Sequence, residues 1–134
     1  MPGYEVPYGY TRELRGVPFD QAIERTTAAL KSEGFGVLTT IDVKETLKKK
    51  IGADFRRYVI LGACNPELAH RALGSQLGIG LLLPCNVTVF EGDAGQTVVQ
   101  MIKPASMFEV VHQPGLEALA GEADEKLRRA LEQI

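Results

Sequence analysis

Apolar residues along this chain recur with two periods, and each change of period marks a new element. Tyr8 to Leu14 (YGYTREL) alternates aromatic or apolar with polar residues and predicts a strand, which Gly16 breaks. Pro18 then opens a helix whose buried stripe is Phe19, Ile23, Thr26 or Thr27, and Leu30. Gly34 suits the left-handed position just past that helix. Phe35 to Ile41 (FGVLTTI) is short and β-rich, so it predicts a second strand. Asp42-Val43-Lys44-Glu45 matches a capping box, and Val43, Leu47 and Ile51 give the following helix its inner face before Gly52 stops it.

Arg57 to Ala63 predicts a third strand. Asn65-Pro66 is a strong helix start, with Asn as cap and Pro in the first turn, and Leu68, Ala69, Ala72 and Leu73 line the inner side. After the punctuation of Gly74, Gly78 and Gly80, Leu81 to Phe90 reads as one long strand. Period two then puts Leu81, Leu83, Cys85, Val87 and Val89 on one face, and Leu82, Pro84, Asn86, Thr88 and Phe90 on the other. Proline cannot donate to a ladder, so Pro84 implies an edge or a bulge. Gly92 to Gly95 turns the chain, and Thr97 to Ile102 returns as the hairpin partner. A short helical segment from Pro104 carries Met107, Phe108 and Val111. Beyond Pro114-Gly115 a last helix shows Leu116, Leu119, Ala120, Ala123, Leu127, Ala130, Leu131 and Ile134 at helical spacing. These elements predict an α+β fold: a two-layer sandwich with a mostly antiparallel sheet of about five strands and helices packed on one face. A length of 134 residues predicts a single domain, with residues 1–7 as a loose lead-in.

Charge alters this picture little. The net charge of −2 supplies no general attraction to nucleic acid. The stretch from Asp42 to Arg57 is locally basic, with six Lys/Arg against three Asp/Glu, and reads as a solvated helix face. Glu122, Asp124 and Glu125 read as the solvated face of the last helix. There is no signal-like opening and no apolar run approaching a membrane span, so a cytoplasmic protein with reduced thiols is expected, with neither a nucleic-acid nor a membrane partner.

Candidate chemistry rests on two Cys-Asn dipeptides, Cys64-Asn65 and Cys85-Asn86, which hold the only cysteines of the chain. Cys64 precedes a helix N-terminus, where unpaired N–H groups favour a thiolate. That position suits a nucleophile, a redox sensor or a soft-metal ligand; the plainer reading is a small buried hydrophobe. Cys85, among Leu83 and Val87, reads more strongly as packing. Asn65 is explained as a cap, whereas Asn86 needs partners, water or a ligand. Cys64, Asn65, Cys85 and Asn86 are therefore the ligand-binding candidates. His70 is a weak further metal candidate beside Cys64 and Cys85, and the spacings of the cysteines with His70 and His112 match no standard zinc pattern. The glycines of GACNP and LGIGLLLP lack the Lys-Ser/Thr of a phosphate loop. Catalytic residues and cofactors are not legible.

Three segments carry a resemblance. GFGVLTTIDVKETLKKKIG (Gly34 to Gly52), YVILGACNPELAHRAL (Tyr58 to Leu73) and GLLLPCNVTV (Gly80 to Val89) resemble the family known as domain of unknown function 302, over nearly the whole chain from Tyr8 onward. Where that family carries an Asp before the proline following the last strand, this chain has Lys103. The resemblance implies a compact α+β domain that dimerises, and it implies no activity. Two function classes fit: a homodimeric binding or sensing module for a small ligand, a soft metal ion or a sulfur species at the Cys/Asn site, or a thiol-dependent redox or sulfur-transfer enzyme in which Cys64 attacks and Cys85 resolves.

Overall fold

The computed structural model describes residues 3–134. Five strands, β1 (Gly9–Leu14), β2 (Gly36–Asp42), β3 (Tyr58–Cys64), β4 (Cys85–Glu91) and β5 (Thr97–Ile102), form one sheet in the order β1-β5-β4-β3-β2. Every neighbouring pair is antiparallel. The helices are α1 (Phe19–Ser32), α2 (Val43–Ile51), α3 (Pro66–Ser75), α4 (Pro104–Phe108) and α5 (Leu116–Glu132). This is the α+β architecture that the periodicity predicts. No helix among the described residues is long and apolar enough to cross a membrane.

The register explains where the core sits. Val59 pairs with Val89, which pairs with Val99; Leu61 pairs with Val87, which pairs with Met101; Ala63 pairs with Cys85. Side chains of directly opposed residues share a face, so these rows make one apolar surface, and all are buried. α1 and α5 lie against each other over that surface and contribute Phe19, Ala22, Leu30, Leu116, Leu127 and Ala130. Deposits of such residues at 3.6-residue spacing give each helix its buried stripe.

Local signals set the element ends. The Asp42 carboxylate accepts from Glu45 N–H (2.9 Å), and Asn65 Oδ1 accepts from Leu68 N–H (3.2 Å). Gly34 takes φ +83°. The lead-in is not loose throughout. The Tyr4 ring meets Phe90 edge-on at 5.2 Å, its hydroxyl accepts from Asp93 N–H (2.7 Å), and its carbonyl accepts from the Gln100 side chain (2.6 Å). Met1 and Pro2 lie outside the described residues.

Three expectations need correction. The long strand from Leu81 does not form. Leu77–Leu82 is a 3-10 helix, Leu77 and Leu81 are 85% and 93% exposed, and β4 starts only at Cys85. The Leu83 N–H is taken by the Gly80 carbonyl (3.2 Å) and Pro84 has no N–H, so neither can donate to a ladder ahead of Cys85. Pro84 marks neither an edge nor a bulge; it sits just ahead of β4, the middle strand, where no ladder bond is required of it. Finally, α2 buries none of its residues: Val43 and Leu47 are half-buried and Ile51 is 72% exposed.

Candidate functional site

The antiparallel pairing of β3 with β4 brings the two Cys-Asn dipeptides together. Ala63 lies opposite Cys85, so the end of β3 meets the beginning of β4. Cys64, Asn65 and Cys85 line one cavity of about 40 Å³. Its remaining wall comes from Phe35, Leu68 and Ala72, from Leu83 and Pro84, and from Phe108, Leu119 and Ala123. Among the described residues the wall holds no acid, no lysine and no histidine.

A dry wall sets the state of the thiols. Cys85 is 7% exposed, and burial, aided by the neighbouring Cys64, pushes its thiol up to about 11. Cys64 is half-buried, and burial raises its thiol as well. The N-terminus of α3 therefore does not make Cys64 acidic. The Asn65 side chain already takes the Leu68 N–H, and the space around the sulfur is apolar. Both sulfurs carry protons at neutral pH.

Asn86 does not join this site. It lies opposite Gly62 on the other face of the sheet and is exposed, so water supplies the partners that its amide needs. His70 is exposed on α3 and does not line the cavity. Among the described residues no three His, Cys, Asp or Glu side chains are gathered as metal ligands. Gly62 is fixed by crowding on the same far face as Asn86: a Cβ there would collide with Thr39 Oγ1 and lie 2.9 Å from Pro84 Cγ.

A family model described as domain of unknown function DUF302 matches residues 10–134. The chain belongs to the DUF302 family. The crystal structure of an uncharacterised conserved DUF302 protein from Bacillus stearothermophilus superposes on this DUF302 domain with a TM-score of 0.87 at 35% identity, covering 96% of this chain and 98% of that one. No curated protein matches the chain.

The domain has a second concavity that the sequence does not announce. A cleft of about 680 Å³ opens beside α4 and α5, lined among others by Tyr10, Lys103, Glu109, His112, Glu117 and Asp124. Phe108 faces both spaces and stands between them. The Tyr10 hydroxyl donates to Asp124 Oδ1 at 2.6 Å, and Lys103 Nζ lies 5.0 Å from the Tyr10 ring centroid. Burial raises the Tyr10 phenol, and the hydrogen bond to Asp124 adds to the rise. Asp124 is thus not merely solvated: its side chain is 19% exposed and also faces Arg128 Nη1 at 3.5 Å. Glu122 pairs with Arg71 at 2.9 Å. No motif marks the cleft, because its residues come from β1, the end of β5, the α4–α5 connection and α5. Each taken alone reads as surface.

Proposed function

We propose that this DUF302 domain is a binding or sensing module whose ligand seats between Cys64 and Cys85, with Asn65 at the rim. One observation carries the reading: the chain's two cysteines open into the same small apolar cavity. A volume of about 40 Å³ suits one ion or a few atoms and leaves no room for a metabolite. Among the three ligand classes expected at this site, that favours the soft metal ion and the small sulfur species. Zinc asks for four ligands and finds two sulfurs here, whereas soft monovalent copper is matched to thiolate. Binding would displace two thiol protons, so affinity falls as pH falls.

The thiol-enzyme alternative, with Cys64 attacking and Cys85 resolving, has less behind it. Attack requires a thiolate, both thiols are raised, and the cavity wall offers no base. In a cytoplasmic setting the thiols would stay reduced and free to bind.

The test is an anaerobic titration with Cu(I) under a competing chelator. One ion per chain is expected for the wild type and for His70→Ala, and none for Cys64→Ser or Cys85→Ser. Equal uptake by a Cys64→Ser/Cys85→Ser double variant would sink the proposal.

We further propose that the domain forms a homodimer through the α2 and β2 side. The support is apolar surface left open there: Leu38, Ile41, Ile51 and Phe55 are 67%, 47%, 72% and 42% exposed, and β2 is an edge strand. The motive supplied by Pro84 falls away with its position beside the middle strand. Sedimentation velocity at micromolar protein should show a dimer that Ile41→Glu dissociates; a monomer in the wild type removes the assignment.

A further inference from the structure

We propose that the cleft beside α4 and α5 is a binding site for a small zwitterion of free amino-acid type. It is separate from the dithiol cavity and shares only the Phe108 wall with it. Three observations carry the assignment.

The first is size. About 680 Å³ lies in the range of pockets that hold small metabolites, and the lining mixes apolar surface from Phe108, Leu116 and Ala120 with a few charged groups.

The second is the set of charges left unmatched. Tyr10, Asp124 and Arg128 satisfy one another. Lys103, Glu109 and Glu117 face the same cleft, and among the described residues none of them has an ion-pair partner. Lys103 is held over the Tyr10 ring instead of against a carboxylate. A purely anionic ligand would be opposed by Glu109 and Glu117. A purely cationic one would be opposed by Lys103 and leave it without a partner. A ligand carrying both signs meets both: its carboxylate is taken by Lys103, and its ammonium by Glu109 and Glu117.

The third is the lip of the cleft. His112 has φ +52°, a left-handed conformation that few non-glycine residues adopt, histidine more often than most, and that recurs at binding sites. It lies in the connection between α4 and α5, which supplies Glu109 and Gln113 to the cleft.

The experiment is amide NMR of the full chain during titration with the common L-amino acids, followed by comparison of the tightest one with its primary amide, its deaminated acid and spermidine. Shifts are expected at Gly121, Ala120 and His112, and the amide and the deaminated acid should each bind at least about tenfold more weakly. Lys103→Met should abolish the preference for acid over amide. Glu117→Gln, on an exposed helix position, should weaken the preference for the amine and serves as the second arm. The Cys64→Ala/Cys85→Ala variant should bind as the wild type does, which separates this site from the dithiol cavity. No shift with any amino acid up to about 10 mM overturns the proposal. So does tighter binding of spermidine than of any zwitterion, or an unchanged acid preference in Lys103→Met.

Discussion

The two hollows of this domain sit on either side of Phe108 and treat their polar groups in opposite ways. In the dithiol cavity nothing charged reaches the sulfurs, so burial holds both thiols in their neutral form. The cleft gathers Lys103, Glu109, Glu117 and Asp124 on one open wall, and burial together with the Asp124 hydrogen bond raises the Tyr10 phenol there. The same helix lines both: Leu119 and Ala123 turn to the cavity, Leu116, Ala120 and Asp124 to the cleft. The contrast shows that a group's chemistry is set by which stripe of α5 it meets, not by its distance along the chain.

The contrast is broken most severely by loosening α5. Leu127 is 0% exposed, and Leu127→Ala should cost about 2–5 kcal/mol in denaturant unfolding. It should also blunt ligand-induced shifts in both hollows. A loss under about half a kcal/mol would mean that α5 is not docked as described.

The dry side can be read by pH. The Cys85 thiol, at about 11 in the fold, keeps its proton where the unfolded chain, with a thiol near 9, has lost it. The folded state then binds more protons than the unfolded one, so stability falls as pH rises through that window. By linkage the Cys85 contribution to the fall is about 2–3 kcal/mol. It is measured as the difference between wild type and Cys85→Ala across pH 8.5 to about 11. Parallel curves would place Cys85 in a wetter setting.

Crowding on the sheet face behind the cavity gives the next effect. Gly62→Ala must displace Thr39 and Pro84 and should cost about 1–3 kcal/mol, with Cys85 labelling faster as Pro84 moves. The smallest effect belongs to the wet side. Asp124→Asn should cost about 0.5–1.5 kcal/mol and lower the Tyr10 phenol toward its ordinary value, followed by tyrosinate absorbance. An unmoved phenol would mean that burial alone holds it up.

Much of the fold was legible because local rules and tertiary packing agree. The β4–β5 hairpin, the Asp42 and Asn65 caps and the α5 stripe all lie where periodicity puts them. The misreading at Leu81–Pro84 came from extending the strand's period two back to Leu81, which points to water. Of the candidate site, Cys64, Asn65 and Cys85 were legible as paired dipeptides, and strand pairing unites them. Asn86 was grouped with them by adjacency although alternation already sent it to the opposite face. The cleft was invisible because Tyr10, Lys103, His112 and Asp124 share no spacing. Only the return of β5 beside β1, and of α5 across both, makes them neighbours.

Arg12 Nη1 donates to the carbonyls of Leu131 and Glu132 at 2.8 and 3.0 Å, so the first strand clasps the end of the last helix. During synthesis β1 leaves the ribosome early, yet its only ladder partner among the described residues is β5. The α5 carbonyls that Arg12 holds emerge later still. Contacts across such separations close loops of near-maximal length, which slows their formation. The strand made first is therefore among the last to be seated. Until then β5 presents a bare apolar edge, Thr97 to Met101, to any other nascent copy nearby.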